Sequence, residues 1–228
     1  MRVGVLFSGG KDSCLALHLA HEHGHKIACL ITIVSQNKES FLFHTPAVSF
    51  VARQAEALGI PLVRVLTKGK EGEEVYDLQR ALEKAKKEYR IEGVVTGAVR
   101  SIYQASRVQR VCHSLQLTCF NPLWLRDDEE HLHDLLKRKI DAIFIHVSAF
   151  GFDRSWLGKH FSVESLHGLK KLHQKFGVSL VGEGGEYESF VVDAPLFKKK
   201  LVIEKSFVVE ESHFSQLRIQ KLMLARKT

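Results

Sequence analysis

A chain of 228 residues, 45% hydrophobic and 26% charged with only four prolines, is long enough to bury a large core and too apolar for extended disorder. Lysine and arginine exceed aspartate and glutamate by 33 to 26, a net charge of +7 that suits an anionic partner but equally describes a solvated basic surface. Cys14, Cys29, Cys112 and Cys119 form no CxxC pair, which argues against structural zinc and suits a reducing cytosol, and no apolar run has the length of a membrane span.

The N terminus opens on a strand pattern rather than a basic segment ahead of an apolar one, so a cytoplasmic protein without a targeting segment is expected. Residues 2–7 read as a buried strand, followed by the turn Ser8-Gly9-Gly10-Lys11-Asp12-Ser13 and a helix over 13–23 that Gly24 ends. Residues 27–34 are apolar nearly throughout, as expected of a parallel strand covered on both faces. A helix over 46–58 has Pro46 in its first turn and Gly59 as its stop; a strand over 61–66 and a charged loop over 68–74 come next. Leu78, Leu82 and Ala85 give residues 75–89 a helical period. A strand at 94–96, a helix over 103–116, a short strand over 117–120, a polar helix over 128–138 and a strand over 141–148 continue the alternation.

That rhythm predicts an α/β fold with a mostly parallel sheet and helices on both faces, running on through 141–148. After Gly151 the pattern changes to a helix over 163–176, whose apolar face fits either core or a homodimer contact, and a glycine-rich segment over 182–188. Strands over 189–193 and 200–210, joined by a turn at Pro195, read as a hairpin-like addition and give a smaller C-terminal α+β lobe. The expected division is a nucleotide-binding domain over 1–125 and a substrate-binding region over 126–228 that completes the site.

Three segments carry chemistry. In the first turn, Gly9 and Gly10 free the backbone to face an anion, and the helix start adds unpaired N–H groups. There Lys11 can neutralise phosphate charge, Ser8 and Ser13 can donate hydroxyl hydrogen bonds, and Asp12 can hold magnesium or fix the loop. Ile33, at the end of the second strand, offers backbone groups to an adenine edge. From Gly97 to Arg110, a strand end leads into a helix on which Tyr103 and Arg107 share a face suited to an anion. Gly182-Glu183-Gly184-Gly185-Glu186-Tyr187-Glu188 places three carboxylates in a flexible loop, a density that calls for a cation, an amine or magnesium.

The turn SGGKDS resembles the pyrophosphate-binding loop of the PP-loop ATP pyrophosphatases, which split ATP between the α and β phosphates. Together with Phe43-His44-Thr45-Pro46, Gly97, Ser101, Tyr103, Gln104, Arg107-Val108, Asn121-Pro122-Leu123-Trp124, the 182–188 loop and Asp193-Ala194-Pro195-Leu196-Phe197, it is similar to the diphthine–ammonia ligase family. The resemblance implies ATP, Mg2+, ammonium and elongation factor 2 bearing diphthine as partners, with no stable nucleic acid and no membrane. It also implies an archaeal or eukaryotic cytoplasm, the archaeal one favoured by the short chain. An acyl-adenylate mechanism follows from it. In that scheme Ser8, Gly9, Gly10, Lys11 and Ser13 bind the leaving pyrophosphate, Asp12 positions magnesium, and Arg107 with Tyr103 orients the α-phosphate or the substrate. Glu183 and Glu188 attract ammonium or the trimethylammonium head, Glu186 serves as base, Tyr187 offers a ring face to the cation, and His44 is a further polar contact. A tRNA-modifying adenylating enzyme of the same fold and a non-enzymatic nucleotide sensor remain as alternatives, the first weakened by the lack of catalytic cysteines and of an RNA-binding module.

Overall fold

The computed structural model describes residues 1–35, 50–67 and 74–227. Strands β1 (Arg2–Leu6), β2 (Lys26–Ser35), β3 (Leu62–Thr67), β4 (Gly93–Val95) and β5 (Thr118–Phe120) form a parallel sheet in the order β3-β2-β1-β4-β5. Helices α1 (Lys11–Glu22), α2 (Val51–Leu58), α3 (Glu74–Tyr89) and α4 (Ile102–Ser114) connect them. Strand order reverses between β1 and β4, so the loops that leave these two strands part to opposite faces and open a crevice at their carboxyl ends. The glycine turn follows β1 and the 97–101 loop follows β4, so two of the three chemistry-bearing segments flank that crevice.

Leu78, Leu82 and Ala85 of α3 and Val108, Val111 and Cys112 of α4 cover one face of the sheet against Ile31, Val63 and Val94. On the other face, α1 touches β1, β2 and β4 on one side and the second sheet on the other. Nine of its twelve residues are buried, which is why its sequence lacks a clean polar face. Helix α2 ends at Gly59, whose φ of 67° is the left-handed stop expected there, while Pro46 lies outside the described residues.

The chain then forms α5 (Asp128–Lys137), β6 (Asp141–Val147), a 3-10 turn at Arg154–Trp156, α6 (Val163–Phe176), β7 (Tyr187–Asp193), β8 (Lys199–Glu210) and β9 (Ser215–Arg226). These last four strands make an antiparallel sheet in the order β7-β6-β9-β8. Two expectations are thereby corrected. β6 does not extend the parallel sheet, because an apolar run marks a strand buried on both faces and carries no information on its direction. β7 and β8 are not a hairpin: β7 pairs with β6, and β8 pairs with β9, a strand the sequence reading did not assign. The overall class, a parallel α/β core with a smaller antiparallel lobe, stands. The apolar face of α6 turns Leu166 and Leu169 into the core. No helix among the described residues is long and apolar enough to cross a membrane.

Candidate active site

The turn after β1 is closed by its own hydroxyls. Ser8 and Ser13 Oγ are 3.2 Å apart, Ser13 Oγ donates to Gly10 O (3.1 Å), and Gly10 N donates to Ser8 Oγ (3.4 Å). Gly10 is the N-cap of α1 and brings no side chain to it; the Lys11 amide donates to Ser189 Oγ, and the Asp12 and Ser13 amides are left without a side-chain cap at the positive end of the helix. Gly9 sits at φ 85°, and a Cβ there would come within 2.2 Å of Gln54 Oε1.

α1 begins at Lys11, two residues earlier than expected, and this puts the lysine inside. Lys11 is 3% exposed; its Nζ donates to Val181 O (2.5 Å) and to Asp12 Oδ2 (2.9 Å) and lies 5.0 Å above the Tyr187 ring. A carbonyl, a carboxylate and a π face together satisfy a buried ammonium. Lys11 is therefore a strut between the turn and the 182–188 loop, rather than a side chain reaching outward for phosphate. The other Asp12 oxygen, Oδ1, is 2.8 Å from Nε2 of His131, which is fully buried on α5. Burial pushes the Asp12 carboxyl up, but Lys11 and His131 outweigh it and hold it down at about 2. With both oxygens so engaged, and no group of three metal-ligating side chains among the described residues, the residues present do not fit a protein-held magnesium ion.

The carboxylates of the 182–188 loop have separate fates. Glu186 accepts Ser179 N (3.2 Å) and Gly184 N (2.8 Å), so it folds its own loop and is poorly placed as a base. Burial raises the Glu183 carboxyl against the opposing pull of the Arg100 and Ser101 amides, which tie it to the loop before α4. Burial also pushes Glu188 up to about 8, against the charge of Lys11, and its Oε2 has no hydrogen-bond partner among the described residues. Tyr187 is 2% exposed, donates to Leu180 O (2.6 Å) and packs on Phe144 and Phe161. Its ring already faces Lys11, so it is closed to the trimethylammonium head expected there.

The 97–101 loop is pressed onto α1. A Cβ on Gly97 would meet Ser13 N at 2.8 Å and Asp12 C at 2.9 Å, backbone atoms that cannot step aside. With its amide oriented by its neighbours, Asn121 donates to Ala98 O (2.9 Å) and Thr96 O (3.1 Å) and holds this loop from β5. Arg100 ties it to α5 through Asp128 (2.6 Å). Arg107 lies 3.3 Å from the centre of the Tyr103 ring and donates to Tyr103 O (3.2 Å), a stacked pair on the outer part of α4. Ile33 is 5% exposed with its side chain in the α3–α4 cluster, which leaves only main-chain groups for an adenine. His44 lies outside the described residues.

Two further side chains, Gln54 and Ser189, hold the site together. Gln54 Nε2 donates to Gly9 O (2.9 Å) and to Val191 O (2.8 Å), beside the hydrogen bond from Val191 N to Gly9 O (3.0 Å). Ser189 Oγ accepts Lys11 N (3.1 Å). Gln54 and His131 left one trace in the sequence: each is a polar residue on an apolar helical stripe, beside Val51, Ala55 and Leu58 or beside Leu132 and Leu135.

Models of the diphthamide synthase N-terminal and C-terminal domains match residues 1–119 and 127–223. A mouse protein named diphthine–ammonia ligase is 38% identical over 251 aligned positions, covering all of this chain and 94% of that one. The human protein of that name is 37% identical, covering 93% and 86%. In Schizosaccharomyces pombe the relative is 36% identical and the match takes in 93% of this chain but only 38% of that one. Because an animal relative is matched over nearly its whole length, a short chain does not mark an archaeal source.

Proposed function

The chain belongs to the diphthine–ammonia ligase family of PP-loop ATP pyrophosphatases, and on that premise we propose that it amidates the diphthine carboxylate of elongation factor 2, consuming ATP and ammonium and releasing AMP and pyrophosphate. The observation that carries the proposal is the meeting of three loops at the start of α1. Gly97 touches the Asp12–Ser13 backbone, and Lys11 reaches Val181 O at the root of the acidic loop. A leaving pyrophosphate and a carboxylate awaiting ammonia need such adjoining seats.

A carboxylate repels nucleophiles and has a poor leaving group, so it must first be activated. Its oxygen attacks the α-phosphorus of ATP, the bond to the β-phosphate breaks, and an acyl-adenylate and pyrophosphate result. The uncapped Asp12 and Ser13 amides of α1, with the Ser8 and Ser13 hydroxyls, bind the pyrophosphate where negative charge grows. Lys11 and Asp12 keep those amides in place, and Lys11 adds positive charge behind them. Main-chain groups from Ile33 to Ser35 meet the adenine, while Glu183, Tyr103 and Arg107 receive the modified histidine at the mouth. Ammonia then attacks the acyl carbon and AMP leaves. A translation factor as substrate puts the activity in the cytoplasm.

The protein with diphthine-bearing elongation factor 2, ATP, magnesium and ammonium should yield equal amounts of AMP, pyrophosphate and amide. The modified histidine should lose its carboxylate charge in mass spectrometry. ADP as product, or AMP formed equally well without the factor, would overturn the assignment.

A further inference from the structure

Ammonium has no lone pair and cannot attack an acyl carbon, so a site that uses it at neutral pH needs a group that takes its proton. The carboxylates here are not equivalent candidates. Asp12 is engaged on both oxygens, by Lys11 and His131. Glu186 is held by two amides of its own loop, and Glu183 by the amides that lead into α4. Asp12 Oδ1 and Glu188 Oε2 are both buried without a strict hydrogen bond among the described residues, but Asp12 Oδ1 has the His131 ring 2.8 Å away, whereas Glu188 Oε2 is given neither a hydrogen bond nor an ion pair there.

Its position is tied to the phosphate turn. On β7 its backbone runs between Tyr187, whose ring lies under the Lys11 ammonium, and Ser189, whose hydroxyl accepts the Lys11 N–H, and its own side chain leaves the other face of the strand, the face of Phe190. Across the sheet its register partner on β6 is His146, and Lys11 of α1 is the cation whose field opposes its burial. From this geometry we infer that Glu188 is the proton acceptor that turns bound ammonium into ammonia for the second half-reaction, an inference that rests on the ligase reading above.

A desolvated carboxylate oxygen without a donor costs free energy, and ammonium brings N–H groups and a positive charge that relieve it. Burial lifts the Glu188 carboxyl to about 8, which makes its conjugate base strong enough to compete for a proton held by ammonium. The nearby cation in turn favours the ionised form, so ammonium binding and Glu188 ionisation reinforce each other. In the step itself one N–H bond breaks and its proton passes to a Glu188 oxygen. The freed lone pair forms the C–N bond, and the acyl C–O bond to AMP breaks with its electron pair leaving on the phosphate. The remaining surplus proton passes from nitrogen to that departing phosphate.

Hydroxylamine separates this role from a structural one, because it is unprotonated at neutral pH and needs no base. Wild-type protein with diphthine-bearing factor and ATP should form amide from ammonium and hydroxamate from hydroxylamine. Glu188→Gln should still release pyrophosphate and form hydroxamate at close to the wild-type rate, while its ammonium-dependent amidation falls about 10²–10⁴-fold. Glu188→Asp, which keeps a carboxylate, should recover part of that loss. Undiminished ammonium turnover in Glu188→Gln, or equal loss with both nucleophiles, or no recovery in Glu188→Asp, would overturn the inference and leave the ligase reading intact. No pyrophosphate from the wild type with that factor would instead overturn the ligase reading itself.

Discussion

Asp12 owes its charge state to its neighbour Lys11 and to His131, a histidine that no local pattern connects to it. Replacing His131 by leucine leaves a buried carboxylate oxygen without its partner, a loss of about 1–3 kcal/mol in stability. The carboxylate's contribution is complete above its ordinary value of 3.8 and drains away as pH falls toward about 2. Without His131 the carboxyl is held down less strongly, so it takes up its proton at a higher pH. Acid unfolding of His131→Leu, followed by circular dichroism, should move to higher pH, and His131→Gln, which keeps an N–H donor at similar reach, should largely restore it. An unchanged acid midpoint in His131→Leu would remove Asp12 as the group concerned. At this scale the residue types of the site were legible and their partners were not. Lys11, Glu186 and Tyr187 stand inside recognisable motifs, yet burial turned the first inward, two amides occupied the second, and the core enclosed the third. The first and third outcomes do not follow from nearest neighbours in sequence, because Val181, Phe144 and Phe161 are brought up by long-range packing, and the second depends on how the loop folds back on itself to bring the Ser179 and Gly184 amides to Glu186.

Between elements, the narrowest contact is that of the loop after β4 with the first turn of α1. Gly97→Ala would drive a methyl group into Ser13 N and the Asp12 carbonyl carbon, and such overpacking costs about 1–3 kcal/mol. Because the displaced atoms include an amide of the turn proposed to bind pyrophosphate, ATP affinity measured by calorimetry should drop more than the melting temperature suggests. Wild-type affinity in this variant would show that the turn tolerates the shift. The parallel half of the fold was readable because strand and helix periods alternate and glycines punctuate them. The antiparallel half was less so. β6 has the same apolar run in either sheet, and β9 mixes outward Gln216, Arg218 and Lys221 with Leu217, Ile219 and Leu222, a two-residue alternation too broken to stand out without its partner β8.

Over the whole molecule, the two sheets share one apolar core. Val3, Leu15 and Leu17 from the parallel side belong to the same cluster as Phe144, Phe190 and Leu222 from the antiparallel side. We propose that the division near residue 125 separates sheets but not folding units. A fragment of residues 1–125 would expose the face of α1 that meets β7 and lose the ties from Val191 and Ser189 to the glycine turn. Its thermal unfolding should be broad and unaffected by ATP; a sharp transition that ATP raises would show the fragment to be autonomous. The bond from Val191 N to Gly9 O reaches further than catalysis. β7 is a border strand of its sheet, and a border with free backbone groups invites strands of other chains to add on. Here the glycine turn after β1 occupies part of that border. The opposite border is β8, along which Lys199, Lys200 and Lys205 discourage a second copy from extending the sheet. We propose that the turn, by covering this border, limits fibre-like self-association, so that a variant that loosens it should lose solubility along with activity.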